Sequence, residues 1–413
     1  MANNAKTVKE PFLHIVKRDT TSVVKKISIY AIAIISSLLI GAIICSLVSP
    51  RGNVFKFFTA LFNGCFGTER LSWLFLQEFA LLLAVSMALI VSFKMKFWNL
   101  GANGQILMGG LAAIACSYYL GGKVSEPLLI VISIIASILA GAIWAFIPAI
   151  CKALWNTNES LFTLMLNYIA AGLVNLFIAI WVKGGSGILN PLPHGHLPEV
   201  GNKYLLIILF GVIITTIITI YLKYSKHGYE LSVVGDSQNT ARYIGINVKK
   251  VVVRTLCLSG AICGLVGLLL TMGTSYSISS ETAANRGFTA IMTTWLANCN
   301  PLFAIATCGL VVFVSKGMQK VRPVFGMLDD TISNLVIGIV YFFIIACTFF
   351  TQYRIVFNSK VEAVLAKVRK PFVWTFEKIS KFFSFVFGKV KNFALLIFAK
   401  IKKLFTKTNK GDK

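Results

Sequence analysis

The sequence predicts an all-α, polytopic membrane protein of about ten membrane helices, some of them half-length or discontinuous. Three observations lead there. Of the 413 residues 56% are hydrophobic and only 13% charged, with a mean hydropathy of +0.78, a composition that rules out a water-soluble globule. The apolar residues fall in unbroken blocks near the ~20 residues that cross a bilayer core, not in alternating or striped runs. Charge is displaced to the chain ends. Residues 1–26 carry six basic and two acidic side chains and residues 351–413 fifteen and three, so the ends hold +4 and +12 of a net +25.

Basic juxtamembrane segments are drawn to the anionic cytoplasmic leaflet by about 1 kcal/mol per Lys or Arg. Both termini are therefore expected in the cytoplasm of a cell-membrane protein, and the positive charge points to membrane lipids, not to a nucleic acid polymer. The expected division is a basic cytoplasmic arm (1–26), a membrane domain (27–350) and a basic amphipathic cytoplasmic tail (351–413).

In chain order, the first block, 27–48, is too long for a signal-peptide core and lacks a small-residue cleavage pattern after it, so it reads as an anchor. Further spans are expected at 72–93, 101–120, 127–150, 161–182, 204–222, 251–273 and 331–350. Six spans bring the loop 223–250 back to the cytoplasmic side; it is the most basic internal loop, with Lys223, Lys226, Arg242, Lys249 and Lys250. The block 287–315 is divided by Asn298-Cys299-Asn300-Pro301 and predicts two half-length helices. Counted as two crossings, they return the tail to the cytoplasm and leave Lys316, Lys320 and Arg322 outside. In the tail, residues 372–405 interleave aromatics with lysines, the pattern of an interfacial amphipathic helix or of a solvated charged face.

The chain holds no GxxxxGK[ST] loop, HExxH, GxSxG or CxxC, so neither a catalytic site, a cofactor nor a metal is expected. Cys45, Cys116, Cys257, Cys263, Cys308 and Cys347 lie within apolar blocks and read as small core residues. His194 and His196, on the Pro-rich loop 184–201, lack a third ligand and read as loop residues. Buried ionisable groups, the usual mark of ion coupling, are nearly absent: Glu78 is the one acid inside an apolar block, and Arg254 begins a span. The interior is supplied instead with neutral amides, Asn99, Asn103, Gln105, Asn167, Asn175, Asn298, Asn300 and Asn334. These suit an uncharged, hydroxyl-rich solute, and equally the gluing of helix to helix.

Two constellations stand out. Trp98-Asn99-Leu100-Gly101-Ala102-Asn103-Gly104-Gln105 opens a membrane helix with glycines and amides. That pattern turns free N–H groups toward a cavity, as at discontinuous helices of transport sites, or makes a close packing face. The second is the loop from Gly228 to Asn247. Asp236 as N-cap and Gly245 just past the C-terminus bracket a helix of about two turns, with Ala241, Tyr243 and Ile244 on its apolar side. Such a stub fits another protein's groove or lies on its own bundle.

With Asn158-Glu159-Ser160-Leu161-Phe162-Thr163-Leu164-Met165-Leu166-Asn167-Tyr168-Ile169 and Gly287-Phe288-Thr289-Ala290-Ile291, these segments resemble the permease subunits of ABC importers for nucleosides, within the ribose and branched-chain amino-acid permease group. The likeness runs from about residue 95 to about 320, with Asn103 where the family usually has an acid and Ser232 where it usually has a base. It implies a permease subunit without enzymatic activity of its own. The implied partners are a P-loop ATPase subunit, a second permease (a paralogue) and an extracellular substrate-binding lipoprotein. Residues 235–246 would form the helix that couples to the ATPase, through Gly235, Asp236, Ser237, Ala241, Arg242, Tyr243, Ile244 and Gly245. Asn99, Asn103, Gln105, Thr163 and Asn167 are the expected pathway residues. A permease for a simple sugar, an ion-coupled secondary transporter and a non-transporting scaffold are the competing readings.

Overall fold

A computed structural model describes residues 13–17, 23–49, 53–182, 188–199, 201–327 and 331–357; the expected amphipathic stretch 372–405 lies outside the described residues. The chain divides into two compact units, one of residues 27–348 and one of residues 1–26 with 349–413.

In chain order the helices run α1 (Val23–Val48), α2 (Val54–Phe66), α3 (Glu69–Lys94), α4 (Ala102–Leu120), α5 (Glu126–Trp155), α6 (Glu159–Trp181) and α7 (Leu205–Tyr224). They continue as α8 (Lys226–Asp236), α9 (Gln238–Tyr243), α10 (Val248–Leu270), α11 (Arg286–Leu296), α12 (Pro301–Val324) and α13 (Thr331–Gln352). Among the described residues seven helices, α1, α3, α5, α6, α7, α10 with the π turn after it, and α12, are long and apolar enough to cross a membrane. The nine expected blocks each fall on a helix or helix pair. The expected start at residue 72 misses a turn of α3, which Thr68 caps by accepting from the Leu71 amide. The reading also passed over α2, whose Gly64 packs against Gly317 of α12 with no room for a side chain.

The block 287–315 is not two half-length helices. Only α11, of 11 residues, is short; α12 runs 24 residues to Val324. Pro301 stands in its first turn, where a missing N–H costs nothing, with Asn300 accepting from the Leu302 amide. The helix continues past Lys316 because that ammonium meets the Glu78 carboxylate of α3 at 3.4 Å. Eight residues earlier, Cys308 donates to Ser86, so α12 lies antiparallel along α3.

α4 sits at the centre, less apolar than α5 and α6, and is covered by α5, α6 and α10. Close approach makes this possible: a Cβ on Gly109 of α4 would overlap the Gly264 backbone of α10, and one on Gly141 of α5 would overlap Gly260. Small-residue faces of this kind let membrane helices pack backbone to backbone.

Among the described residues the fold is all-α apart from one short ribbon in the smaller unit. Leu13–Lys17 (β1) and Tyr353–Phe357 (β2) pair antiparallel, Leu13 opposite Phe357 and Lys17 opposite Tyr353. Both are rich in β-branched and aromatic residues, which favour strands. Segments read as arm and tail thus include a two-stranded ribbon.

Candidate functional site

The segment from Trp98 to Gln105 and the start of α11 are helix beginnings inside an apolar bundle, where water cannot satisfy the unpaired N–H groups of a first turn. Side chains from neighbouring helices do so. Asn167 of α6 accepts from the Gly104 amide at 2.7 Å and donates to the Leu100 carbonyl at 2.8 Å. Thr163, one turn earlier, accepts from the Leu100 amide at 3.1 Å. Asn103 accepts from the Gly287 amide at 2.8 Å, so α4 caps the half-length α11. Asn99 accepts from the Gly101 amide at 3.0 Å, and its amide exchanges long contacts with Gln105 and with Ser259 of α10.

All five expected pathway residues therefore meet in one network, and all five are buried. The N–H groups of Gly101 and Gly104 are not turned free toward a cavity: Asn99 of the same segment takes the first and Asn167 of α6 the second, as Asn103 of α4 takes that of Gly287. Asn99 stands between Gln105 and Ser259. Asn103 and Asn167 join α4 to α11 and to α6, and Leu107, Leu111 and Ile114, further along the Asn103 face of α4, are buried.

The start of α11 is also held by charge. Arg286 grips Glu78 through Nη2 at 2.8 and 3.1 Å and Nε at 3.2 Å, and donates to the Thr282 and Ala283 carbonyls. This fixes the turn in which Ala284 and Asn285 take positive φ of 44° and 56°. Glu78 does not reach an interface alone; it anchors two cations from two helices. Sequence reasoning missed Arg286, although an arginine directly before a half-length helix, in a chain with one membrane-embedded acid, was a usable signal.

The loop residues 188–199 are fastened at the far end of α4. Ser117 donates to the His194 carbonyl, Glu126 takes the His194 ring at 2.8 Å and the Gly195 amide at 2.9 Å, and His196 stacks on Tyr276 at 4.0 Å. Both histidines serve in holding this loop.

The helix in the loop 223–250 is shorter than expected and starts one residue later. Ser237, not Asp236, is its N-cap: Ser237 is extended and accepts from the Thr240 amide at 3.2 Å, while Asp236 ends α8. Gly245, with φ +83°, closes the other end as expected. Ala241 is fully buried against its own chain and not on the outward face. Tyr243 and Ile244 are exposed by 92% and 50%. Behind them α8 is pinned: Arg254 donates to Glu230 at 2.9 Å, Leu231 and Val234 are buried, and a Cβ on Gly235 would overlap the Lys94 carbonyl. The Arg254 hydrogen bond holds the Glu230 carboxyl below the usual carboxylate range. The arrangement is a rigid stub whose tip, Tyr243 above all, is exposed among the described residues.

A bundle of candidate spanning helices surrounds a capped, discontinuous centre, with such a stub on one end, the build of a polytopic membrane subunit. The chain belongs to the family described as the permease component of branched-chain amino-acid transport systems, whose profile matches residues 71–345. It is 26% identical to the guanosine ABC transporter permease protein NupP of Bacillus subtilis, over 76% of this chain and 91% of that one. It is 25% identical to the nucleoside ABC transporter permease protein NupB of Lactococcus lactis, over 84% and 98%, and 28% identical to the glucose ABC transporter permease protein TsgB13 of Haloferax volcanii, over 66% and 76%. No solved structure matches. The chain is an ABC-type permease subunit, and ATP hydrolysis belongs to a separate ATPase.

Proposed function

We propose that this subunit imports nucleosides, delivered by an extracellular binding lipoprotein, through a path completed by a second permease. The observation that carries the coupling half of this reading is the stub: Tyr243 and Ile244 stand exposed on a helix that Ser237, Gly245, Ala241 and Gly235 otherwise lock. In the helix-in-groove mode they seat in a P-loop ATPase, and both termini, with α9, face the cytoplasm. The path follows the seam between α6 and α11, where Thr163, Asn103 and Asn167 lie. Asn99 and Gln105 support it from behind. The nucleoside assignment rests on two of the relatives above. That two B. subtilis guanosine permease proteins, NupP and NupQ, both resemble this chain favours a paralogous second permease.

Copurification from native membranes tests the coupling. The wild type should bring down a P-loop ATPase, and a Tyr243→Asp, Ile244→Asp variant with unchanged membrane insertion should lose it. Retention of the ATPase by the variant contradicts the docking. The similarity to a glucose permease supports a second reading, transport of a simple sugar. Uptake of labelled glucose, unaffected by excess nucleoside, would select it.

A further inference from the structure

We infer that Trp98 and Trp295 close the solute path at its α9 end and that α9 works this closure through Gly235; the inference rests on the permease reading above. The two indoles come from the two breaks of the site. Trp98 lies between α3 and α4, and Trp295 is next to last in α11. Their rings are 4.9 Å apart at 57°, with Phe93 behind Trp98 at 5.5 Å. They nevertheless stay 38% and 47% exposed, large aromatic surface that the subunit's own packing leaves uncovered.

Both are mounted on left-handed backbone. Lys96 has φ +58° before Trp98, and Asn298 and Cys299 have φ +48° and +54° after Trp295. Each closes a helix end by backbone capping: Lys96 and Phe97 donate to the Phe93 and Ser92 carbonyls, and Asn298 and Cys299 donate to those of Trp295 and Thr294, so each tryptophan is tied to the end of its helix. The turn after α3 is braced from α8: Gly235, at the end of α8, lies so close to the Lys94 carbonyl and Met95 Cα that no side chain fits between. A push on α9 therefore passes to Lys94 and Met95, then along the capped turn to Trp98.

α11 is held at its other end, by the Arg286–Glu78 pair and by Asn103 on the Gly287 amide. A helix of 11 residues is about 16 Å long, so a swing about that anchored end moves Trp295 farthest. Parting of the rings opens the lower end of the seam. It also exposes two flat indole faces to a passing solute with an aromatic base, which favours stacking.

The test uses proteoliposomes holding the whole complex, loaded with a labelled purine nucleoside. Without nucleotide, Trp98→Ala and Trp295→Ala should each raise efflux several-fold over wild type while the ATPase stays bound. Trp98→Leu and Trp295→Leu, which keep apolar volume but remove the ring contact, serve if an alanine variant fails to assemble, and should also leak. Wild-type efflux from assembled variants overturns the closure and makes these tryptophans lipid-facing packing residues. ATP-driven uptake by the wild-type complex, measured alongside, separates the two ideas: its absence counts against nucleoside import, whereas normal uptake with no leak in the variants counts against the closure alone.

Discussion

Replacing Glu78 with Gln should destabilise the subunit far more than an exposed charge would. The carboxylate accepts three contacts from Arg286 at 2.8–3.2 Å and one from Lys316 at 3.4 Å. Removing one member of a buried ion pair costs about 3–5 kcal/mol, because the partner's charge stays uncompensated. Here two cations are left, but the side chains of Glu78, Arg286 and Lys316 keep 24%, 17% and 21% of their surface exposed, which screens part of the penalty. A loss of about 2–3 kcal/mol is expected. It should appear in reversible unfolding in detergent mixed with dodecyl sulfate, followed by loss of helical signal. A cycle with Arg286→Gln sharpens the test: the double variant should be less destabilised than the sum of the singles by about 1 kcal/mol or more, as groups sharing one network behave. A Glu78→Gln cost under about 0.5 kcal/mol, the size of a surface effect, or strict additivity, would refute the anchoring of α11 by this pair.

Gly264→Ala should disrupt the α4–α5–α10 core by about 1–3 kcal/mol or more, because its Cβ would meet the Ser137 carbonyl. Gly172→Ala, with open space around it, should be neutral or slightly stabilising in the same unfolding assay. Ser237→Ala should cost about 1 kcal/mol of local stability and speed exchange of the Thr240 amide, whereas Asp236→Ala should leave that amide unchanged. The lowered Glu230 carboxyl stabilises the fold at pH above its ordinary value of 4.5, and this contribution is lost as pH falls through the depressed value. The stability difference between wild type and Arg254→Gln should therefore be full at neutral pH and shrink on acidification below about 4.5, read by melting in detergent.

Apolar length made the spanning helices legible, since a bilayer demands the same ~20 residues wherever a chain crosses. The cluster of Asn99, Asn103, Gln105, Thr163 and Asn167 was legible as a set, because amides deep in apolar sequence must find partners. Their partners were not, being set by tertiary approach: nothing in the order of residues says that Asn167 caps α4 or that Asn103 caps α11. The length of α12 was misread because a lysine normally ends a span, and only the fold brings Glu78 beside Lys316. The β1–β2 pairing joins segments 336 residues apart in register, a separation that local pattern does not report. Asp236 and Ser237 are both good caps, and the choice between them followed from where α8 stopped.

Reconstitution of the chain with and without its ATPase tests the central claim most directly. Vesicles containing this subunit, its partner permease and the ATPase should concentrate a labelled nucleoside when ATP is supplied to the α9 side. Vesicles lacking the ATPase should do no more than equilibrate it. Uphill accumulation without the ATPase, driven by an ion gradient, would contradict the account.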